Sequence, residues 1–196
     1  MKKSYPYWVV AMLCVFCFTP VSALAHVGVT ESTGLGQGFG HPFGGADHLL
    51  AMLAVGVWAA QMGGRSIWAV PSAFLVMVVV GGVLGITGVA LPYVEQGILA
   101  SILVLGVLIA GAFKSPTIVS AAIVGLFAVF HGHAHGSEIP LEAGLIFYTV
   151  GFALATTLLH VVGMALGLIL RKLDAARFMR LAGMAILFGG ICVGLA

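Results

Sequence analysis

The sequence predicts an all-α membrane protein with six transmembrane helices that follow a cleavable signal peptide. Three observations predict it: the composition, a series of six apolar stretches, and the placement of the basic residues. Of the 196 residues, 61% are hydrophobic and only 7% are charged, and the mean hydropathy is +1.18. Soluble domains carry about a quarter charged residues. This chain has too little polar surface to be solvated on all sides, which indicates an integral membrane protein.

Residues 1–25 have the pattern of a secretory signal peptide. Two lysines precede the apolar core Trp8–Phe18, which is too short to span a bilayer, and the segment ends in Ala-Leu-Ala at residues 23–25. A basic region, a short apolar region and a small-x-small cleavage site are typical of such leaders. We expect cleavage after Ala25, and an uncleaved first helix is the alternative. Cleavage removes two of the three cysteines, and Cys192 alone cannot form an internal disulfide.

Residues 26–196 are expected to form a single six-span transmembrane domain. Glycine at positions 34, 36, 38 and 40 disfavours a helix, so the sequence predicts a flexible exterior segment there. Most of the apolar stretches that follow have close to the ~20 residues needed to cross a bilayer. These stretches are Pro42–Met62, Ile67–Val89, Val94–Phe113, Pro116–His131, Leu141–Leu170 and Phe178–Leu195.

The six lysines and arginines of residues 26–196 lie on three connections that alternate along the chain. Arg65 follows the first stretch, Lys114 follows the third, and the other four flank the connection between the fifth and sixth. The opposite side carries four glutamates and no lysine or arginine: Glu31, Glu95, Glu138 and Glu142. Lysine and arginine favour cytoplasmic loops, so these three connections are expected in the cytoplasm. Both mature termini would then be periplasmic, in a bacterial cytoplasmic (inner) membrane, in agreement with the signal peptide.

The charge pattern also excludes some functions. The formal net charge is only +2, and the sequence has no basic stripe, so no nucleic-acid partner is expected. The sequence contains no G-x4-G-K-[ST] phosphate-binding loop and therefore no ATPase of its own, and none is evident as a partner. The expected partners are the lipid bilayer and a divalent transition-metal ion, for which the histidines are the reason.

The first group of chemically active residues lies at the exterior end of the first stretch. It consists of His41, Asp47 and His48. Ionisable residues in a membrane span are expensive and mark functional sites. Asp47 and His48 are consecutive and point about 100° apart on a helix, so they can bracket a site. Proline at 42 and glycine at 44 and 45 favour a bent start, through which His41 can reach the same ion.

The second group lies at the exterior end of the fourth stretch. His131 and His135 have i, i+4 spacing and share one helix face if the helix continues that far, and Glu138 supplies a carboxylate. Imidazoles with a few carboxylates suit borderline divalent metals such as nickel, cobalt and zinc. An ordinary interfacial placement is the alternative, particularly for a single histidine such as His133.

Two further histidines are weaker candidates for metal binding. His26 would become the new N-terminus after cleavage and could chelate an ion through its amine and its imidazole. His160 lies deeper, in the fifth stretch, on a face with Thr156 and Met164. That face either lines a path through the protein or bonds a neighbouring helix, and both interpretations remain open.

The two groups resemble the signatures of the HupE/UreJ family of bacterial nickel/cobalt permeases. HPFGGADHLLAM, from His41 to Met52, matches H-P-x-x-G-x-D-H, and FHGHAHGSE, from Phe130 to Glu138, matches F-H-G-x-A-H-G-x-E. The larger nickel–cobalt transporter family uses H-x4-D-H, whereas five residues separate His41 from Asp47 here. The resemblance implies uptake of Ni²⁺ or Co²⁺ for the maturation of hydrogenase, urease or cobalamin enzymes, with the metal as cargo and no resident cofactor.

Three other functions compete with this interpretation. A haem-b electron carrier would use His48, His131 or His160 as axial ligands, but it gives the acidic residues no role. An intramembrane metalloprotease would need H-E-x-x-H or a comparable set, which the sequence lacks, so no enzyme is expected. A metal-binding accessory protein or sensor that transports nothing would use the same ligands.

Overall fold

A computed structural model describes residues 34–139, 144–172 and 176–196, and within these ranges the regular secondary structure is entirely helical. The all-α fold class is thus confirmed for the described residues, whereas the expected signal peptide and His26 lie outside them. A 3₁₀ turn at His41–Phe43 links the first two of seven α-helices. The helices are α1 (Gly34–Gly40), α2 (Ala46–Met62), α3 (Ser66–Ile86), α4 (Val94–Ala110), α5 (Thr117–Ser137), α6 (Leu145–Lys172) and α7 (Ala176–Leu195).

Four of these helices, α3, α5, α6 and α7, are long and apolar enough to cross a membrane. The segment Gly34–Phe43 and helix α2 meet the same criteria together, but they are bent by 81° relative to each other. Helix α4 is apolar but has only 17 residues, about 26 Å at ~1.5 Å per residue. Length and composition therefore identify four spans among the described residues, or five with the bent pair.

Helix α5 continues past His131, where the apolar stretch was expected to end, to Ser137. The first apolar stretch, in contrast, is interrupted. Pro42 lies in the 3₁₀ turn, and Gly45 is extended (φ −119°, ψ 127°) immediately before α2 begins at Ala46. The bend expected from the proline and glycines is therefore present.

The expectation of a flexible, non-helical segment at the alternating glycines was wrong, because residues 34–40 form helix α1. The reason is a tertiary contact that local propensity does not report. A Cβ at Gly38 would overlap the backbone carbonyl of Tyr148, and a Cβ at Gly151 would overlap that of Leu35. The backbones of α1 and α6 touch at these glycines, and this packing offsets the low helix propensity of glycine.

Close contacts between helices define the two ends of the bundle. Helices α2 and α6 run parallel, since a Cβ at Gly56 would overlap the His160 carbonyl and the Arg171 Nη1 donates to the Ala60 carbonyl at 2.7 Å. Helices α3 and α5 also run parallel, with the Ser66 and Thr117 hydroxyls 2.9 Å apart at their first turns. The first turn of α2 and the last turn of α5 therefore lie at the same end, opposite Arg171.

Helix α2 forms the centre of the core. Every residue from Ala51 to Ala60 is buried except Leu53, which is partly buried. The large side chain of Trp58 is completely buried, and its Nε1 donates to the Phe113 carbonyl at 3.4 Å. A helix that is apolar on all sides is enclosed by others. The polar residues in its first turn, Asp47 and His48, are partly buried.

Candidate metal centre

The bend before α2 places His41 against the last turns of α5. The Gly44 amide donates to the His41 carbonyl at 2.9 Å and closes the 3₁₀ turn. The His41 ring then packs edge-on against the His135 ring, with 4.6 Å between centroids, and lies 5.8 Å from the Tyr148 ring. The structure thus brings His41 to the group on the fourth stretch, whereas the sequence predicted only that the bend lets it reach the ion bound by Asp47 and His48.

Asp47 fixes the orientation of the neighbouring His48. Its Oδ1 accepts from the His48 backbone amide at 2.8 Å and lies 2.9 Å from the ring Nδ1. An ionised carboxylate only accepts, so Nδ1 carries a proton, and in the neutral ring Nε2 keeps its lone pair. Nε2 is buried without a hydrogen-bond partner among the described residues. Gly45 makes the arrangement possible, because a Cβ there would collide with the Asp47 carboxylate and press on the His48 ring.

A serine on α4 fixes the orientation of His131. The Ser101 hydroxyl lies 2.6 Å from the Ile98 carbonyl, to which it donates, and 3.0 Å from Nε2 of His131. Because its single proton is used, the hydroxyl accepts from Nε2–H, and Nδ1 keeps its lone pair. That Nδ1 is buried without a partner in the described part of the chain. Sequence reasoning missed Ser101, whose only signal is a serine in an otherwise apolar helix.

His135 lies at the centre of the cluster. Its ring is 4.4 Å from that of His48 and 4.2 Å from that of Phe152. Neither ring nitrogen has a hydrogen-bond partner among the described residues, although the side chain is buried. The His48 and His131 rings complete the contact, with centroids 4.9 Å apart. Buried unpaired nitrogens are costly, so three neighbouring histidines with free lone pairs are expected where a ligand supplies the missing partner.

The cluster opens to the surface through Glu138. A carboxylate oxygen of Glu138 lies 3.6 Å from Nε2 of His41, and one ligand atom each from His41, His135 and Glu138 fit within 4.8 Å of one another. The exposed fraction falls from 60% for the Glu138 side chain to 32% for His41 and to 0% for His131. The donors therefore form a graded series from solvent into the protein, and the ligand atoms of His41, His135 and Glu138 are close enough together to hold a metal ion.

We define the outer cluster as the six residues that sequence reasoning selected and that the structure brings together: His41, Asp47, His48, His131, His135 and Glu138. His133 does not share these contacts, since its Nε2 donates to the Val89 carbonyl at 2.8 Å. His160 lies deeper, with its ring 5.0 Å from that of Phe74. His26 is outside the described residues.

A cavity of about 210 Å³ adjoins the outer cluster at Asp47. Its other lining residues come from the first turns of α4 and the end of α7, and they include Glu95. Sequence reasoning assigned Glu95 only to the exterior side. Its position in the first turn of an apolar helix, comparable to that of Asp47 in α2, is the signal that could have found it. Glu95 thus places a second carboxylate on the lining of this cavity, in addition to that of Asp47.

Comparisons with known proteins identify a family model and a curated relative. The family model described as HupE / UreJ protein matches residues 13–193. A curated relative, "Protein HupE" from Rhizobium leguminosarum bv. viciae, is 46% identical over 171 residues, which cover 87% of this chain and 89% of the relative. No solved structure matches the chain.

Proposed function

This chain belongs to the HupE/UreJ family, and from that premise we propose that it is a permease that imports Ni²⁺, Co²⁺ or both from the periplasm to the cytoplasm for metalloenzyme maturation. The observation that carries the proposal is the outer cluster. Three histidines there have ring nitrogens that are buried and unpaired among the described residues, at the solvent-facing end of an apolar bundle. A path for a hydrated ion from solvent into protein requires such a graded set of donors.

The outer cluster divides into donors and a charged positioning group. Imidazole nitrogens from the four histidines, together with a Glu138 oxygen, replace the hydration shell of the arriving ion. These donors favour borderline metals over Mg²⁺ and Ca²⁺, which prefer all-oxygen sites. Asp47 orients His48 through Nδ1 and adds a negative charge beside the divalent ion, as carboxylates commonly do for metal-binding histidines.

The membrane potential supplies a sufficient driving force for such transport. A charge moved inward gains about 2.3 kcal/mol per 100 mV, so a divalent cation gains about 4.6 kcal/mol. Import against a moderate concentration gradient then requires no ATPase. The ion must also leave, and a site open to solvent on one side is easier to vacate than a closed tetrahedral cage.

We propose six spans for this permease. Four helices satisfy the length and hydropathy criteria alone, and the bent pair that includes α2 provides a fifth. Helix α4, with 17 residues, is at the lower limit of about 17–25 residues for a span. It packs against the central helix α2. Gln61 of α2 also donates a hydrogen bond to the Ile109 carbonyl of α4.

We further propose that residues 1–25 are a signal peptide that is removed in the bacterial inner membrane. The basic region, short apolar region and Ala-Leu-Ala sequence support it. The intact mass of the membrane-purified protein distinguishes a chain that begins at His26 from one that retains Met1. A retained Met1 would contradict the proposal and leave His26 without a terminal amine.

Cysteine labelling tests the orientation. In a background with all three native cysteines replaced by serine, Arg65→Cys and Lys114→Cys are expected to react only from the cytoplasm, and Gln96→Cys and Ser137→Cys only from the periplasm. The positive-inside distribution of lysine and arginine is the reason. A membrane-impermeant maleimide, applied to intact cells and to inverted vesicles, provides the measurement. Labelling of all four positions from one side would contradict the six-span topology.

Reconstitution tests the function itself. Purified protein in liposomes with an inside-negative potential is expected to accumulate Ni²⁺ and Co²⁺, with each ion inhibiting uptake of the other. Tight binding without accumulation above empty liposomes would favour the accessory-protein alternative. A Soret absorption band in the purified protein would favour the haem alternative.

A further inference from the structure

Two polar side chains lie unpaired in the middle of helix α6. Thr156 and His160 are one turn apart on the same face and are 0% and 1% exposed. The Thr156 hydroxyl and both ring nitrogens of His160 have no hydrogen-bond partner among the described residues. Unpaired polar groups inside an apolar bundle are costly and mark functional positions.

The neighbouring Thr157, on a different face of α6, does have a hydrogen-bond partner for its hydroxyl. Thr157 is exposed on the outside of the bundle, and its hydroxyl donates to the Ala153 carbonyl one turn back, at 2.7 Å. A threonine on this helix can therefore satisfy its hydroxyl locally. Thr156 lacks that bond, and its oxygen stays available inside the bundle beside His160.

A single phenyl ring connects this inner pair with the outer cluster. The Phe74 ring of α3 lies 5.6 Å from the ring of His131 and 5.0 Å from that of His160, against which it packs edge-on. Phe74 is 1% exposed. The deepest histidine of the outer cluster and His160 of the inner pair thus contact the same aromatic side chain.

We propose that His160 and Thr156 form an inner binding station, which receives the metal ion from His131 when the Phe74 ring moves aside. This inference rests on the proposed transport function and deepens it. A ring nitrogen of His160 and the Thr156 hydroxyl oxygen supply two ligands, and water that travels with the ion supplies the others. Neither donor carries a negative charge, so the inner station binds the ion more weakly than the outer cluster with its carboxylates. Weak, successive sites are what conduction requires.

Matched substitutions on α6 test the station by transport. His160→Phe keeps an aromatic ring but removes both donors, and we expect the rate of Co²⁺ uptake into liposomes to fall by about tenfold or more, as for loss of a group that supports a metal. Thr156→Val should lower the rate severalfold, whereas Thr157→Val, the same change one residue further on, should leave it unchanged. Co²⁺ binding to the outer cluster of the detergent-purified variants should persist.

The pattern of failure separates the two proposals. If wild-type protein accumulates no metal, the proposed function fails. If wild type transports, His48→Ala does not, and His160→Phe equals wild type, then transport stands and the inner station is overturned. Equal loss of rate in Thr156→Val and Thr157→Val would indicate a general packing effect and would also overturn it.

A spectroscopic test distinguishes metal binding from a structural role. In the background without native cysteines, His160→Cys should produce sulfur-to-cobalt charge-transfer absorption in the near ultraviolet when Co²⁺ is added, and Thr157→Cys should not. A helix-bonding role of His160 predicts no such band. Absence of the band in His160→Cys, at Co²⁺ concentrations that saturate the visible absorption of the outer cluster, would overturn the proposal.

Discussion

Replacing His48 with alanine is expected to abolish accumulation of Ni²⁺ and Co²⁺ while the protein remains at its normal level in the membrane. Nε2 of His48 has a free lone pair, and its ring lies within 4.9 Å of two other histidine rings. Neighbouring donors are already part of the same cluster and cannot replace it. Loss of a group that only orients a metal ligand costs about 10–100-fold. Loss of the ligand itself should reach at least the upper end, about a hundredfold.

His133→Ala provides a matched control for this prediction. It removes a histidine from the same end of the bundle, but one whose Nε2 is already bonded to the Val89 carbonyl. Uptake of labelled Ni²⁺ by cells that express each variant, normalised to the amount of protein in the membrane, provides the measurement. His133→Ala should remain near wild type. Normal uptake by His48→Ala at equal expression would identify the histidines as interfacial and exclude them from the path.

For the other members of the outer cluster, the effect of a substitution on metal uptake should depend on how deeply the side chain is buried. His135 and His131 are buried, so alanine at either position should lower uptake as severely as alanine at His48. His41 and Glu138 are partly exposed, so His41→Ala and Glu138→Gln should mainly raise the metal concentration needed for half-maximal uptake. The two effects differ because the exposed ligands capture the ion from solution, whereas the buried ligands pass it further into the protein.

The helices that hydropathy predicts are close to those in the structure, because apolar length is a property of each segment alone. The second stretch was expected at Ile67–Val89, and α3 spans Ser66–Ile86. Helix α1 was missed because its stability depends on a distant contact. The glycines at 34, 36, 38 and 40 have low helix propensity, and the close contacts of Gly38 with Tyr148 and of Leu35 with Gly151 offset it. Helix propensity can be read from a sequence, but the backbone contacts between distant segments cannot.

The sequence predicted that the six residues of the outer cluster lie close together, but it did not predict the hydrogen bonding of their rings. The i, i+4 spacing of His131 and His135 placed both on one face, and the proline and glycines after His41 predicted its return. The free nitrogen of each ring was not predictable, since it depends on Asp47 for His48 and on Ser101 for His131. Ser101 belongs to another helix, and no feature of the sequence pairs α4 with α5. Phe74 was missed for the same reason.

Asp47 has two roles, because its carboxylate accepts hydrogen bonds from His48 and also supplies a negative charge. A single substitution can separate them. Asp47→Asn keeps a side-chain oxygen that can accept from the His48 amide and from Nδ1, and it preserves nearly all of the volume. It removes only the negative charge. At an effective dielectric of about 20, a unit charge roughly 6 Å from a divalent ion interacts with it by about 5–6 kcal/mol before desolvation is subtracted.

Asp47→Asn should therefore reduce uptake by about a hundredfold with little change in protein level, because half of that interaction, about 2.8 kcal/mol, corresponds to two factors of ten at about 1.4 kcal/mol each. Asp174→Asn, the same change at the only other aspartate of the chain, should leave uptake near wild type. Asp47→Ala, which also removes the hydrogen bonds to His48, should be no less severe. If Asp47→Asn transports normally while Asp47→Ala does not, then Asp47 acts only by orienting His48, and the charge that accompanies the ion inward must come from another carboxylate, for which Glu95 across the adjoining cavity is the first candidate.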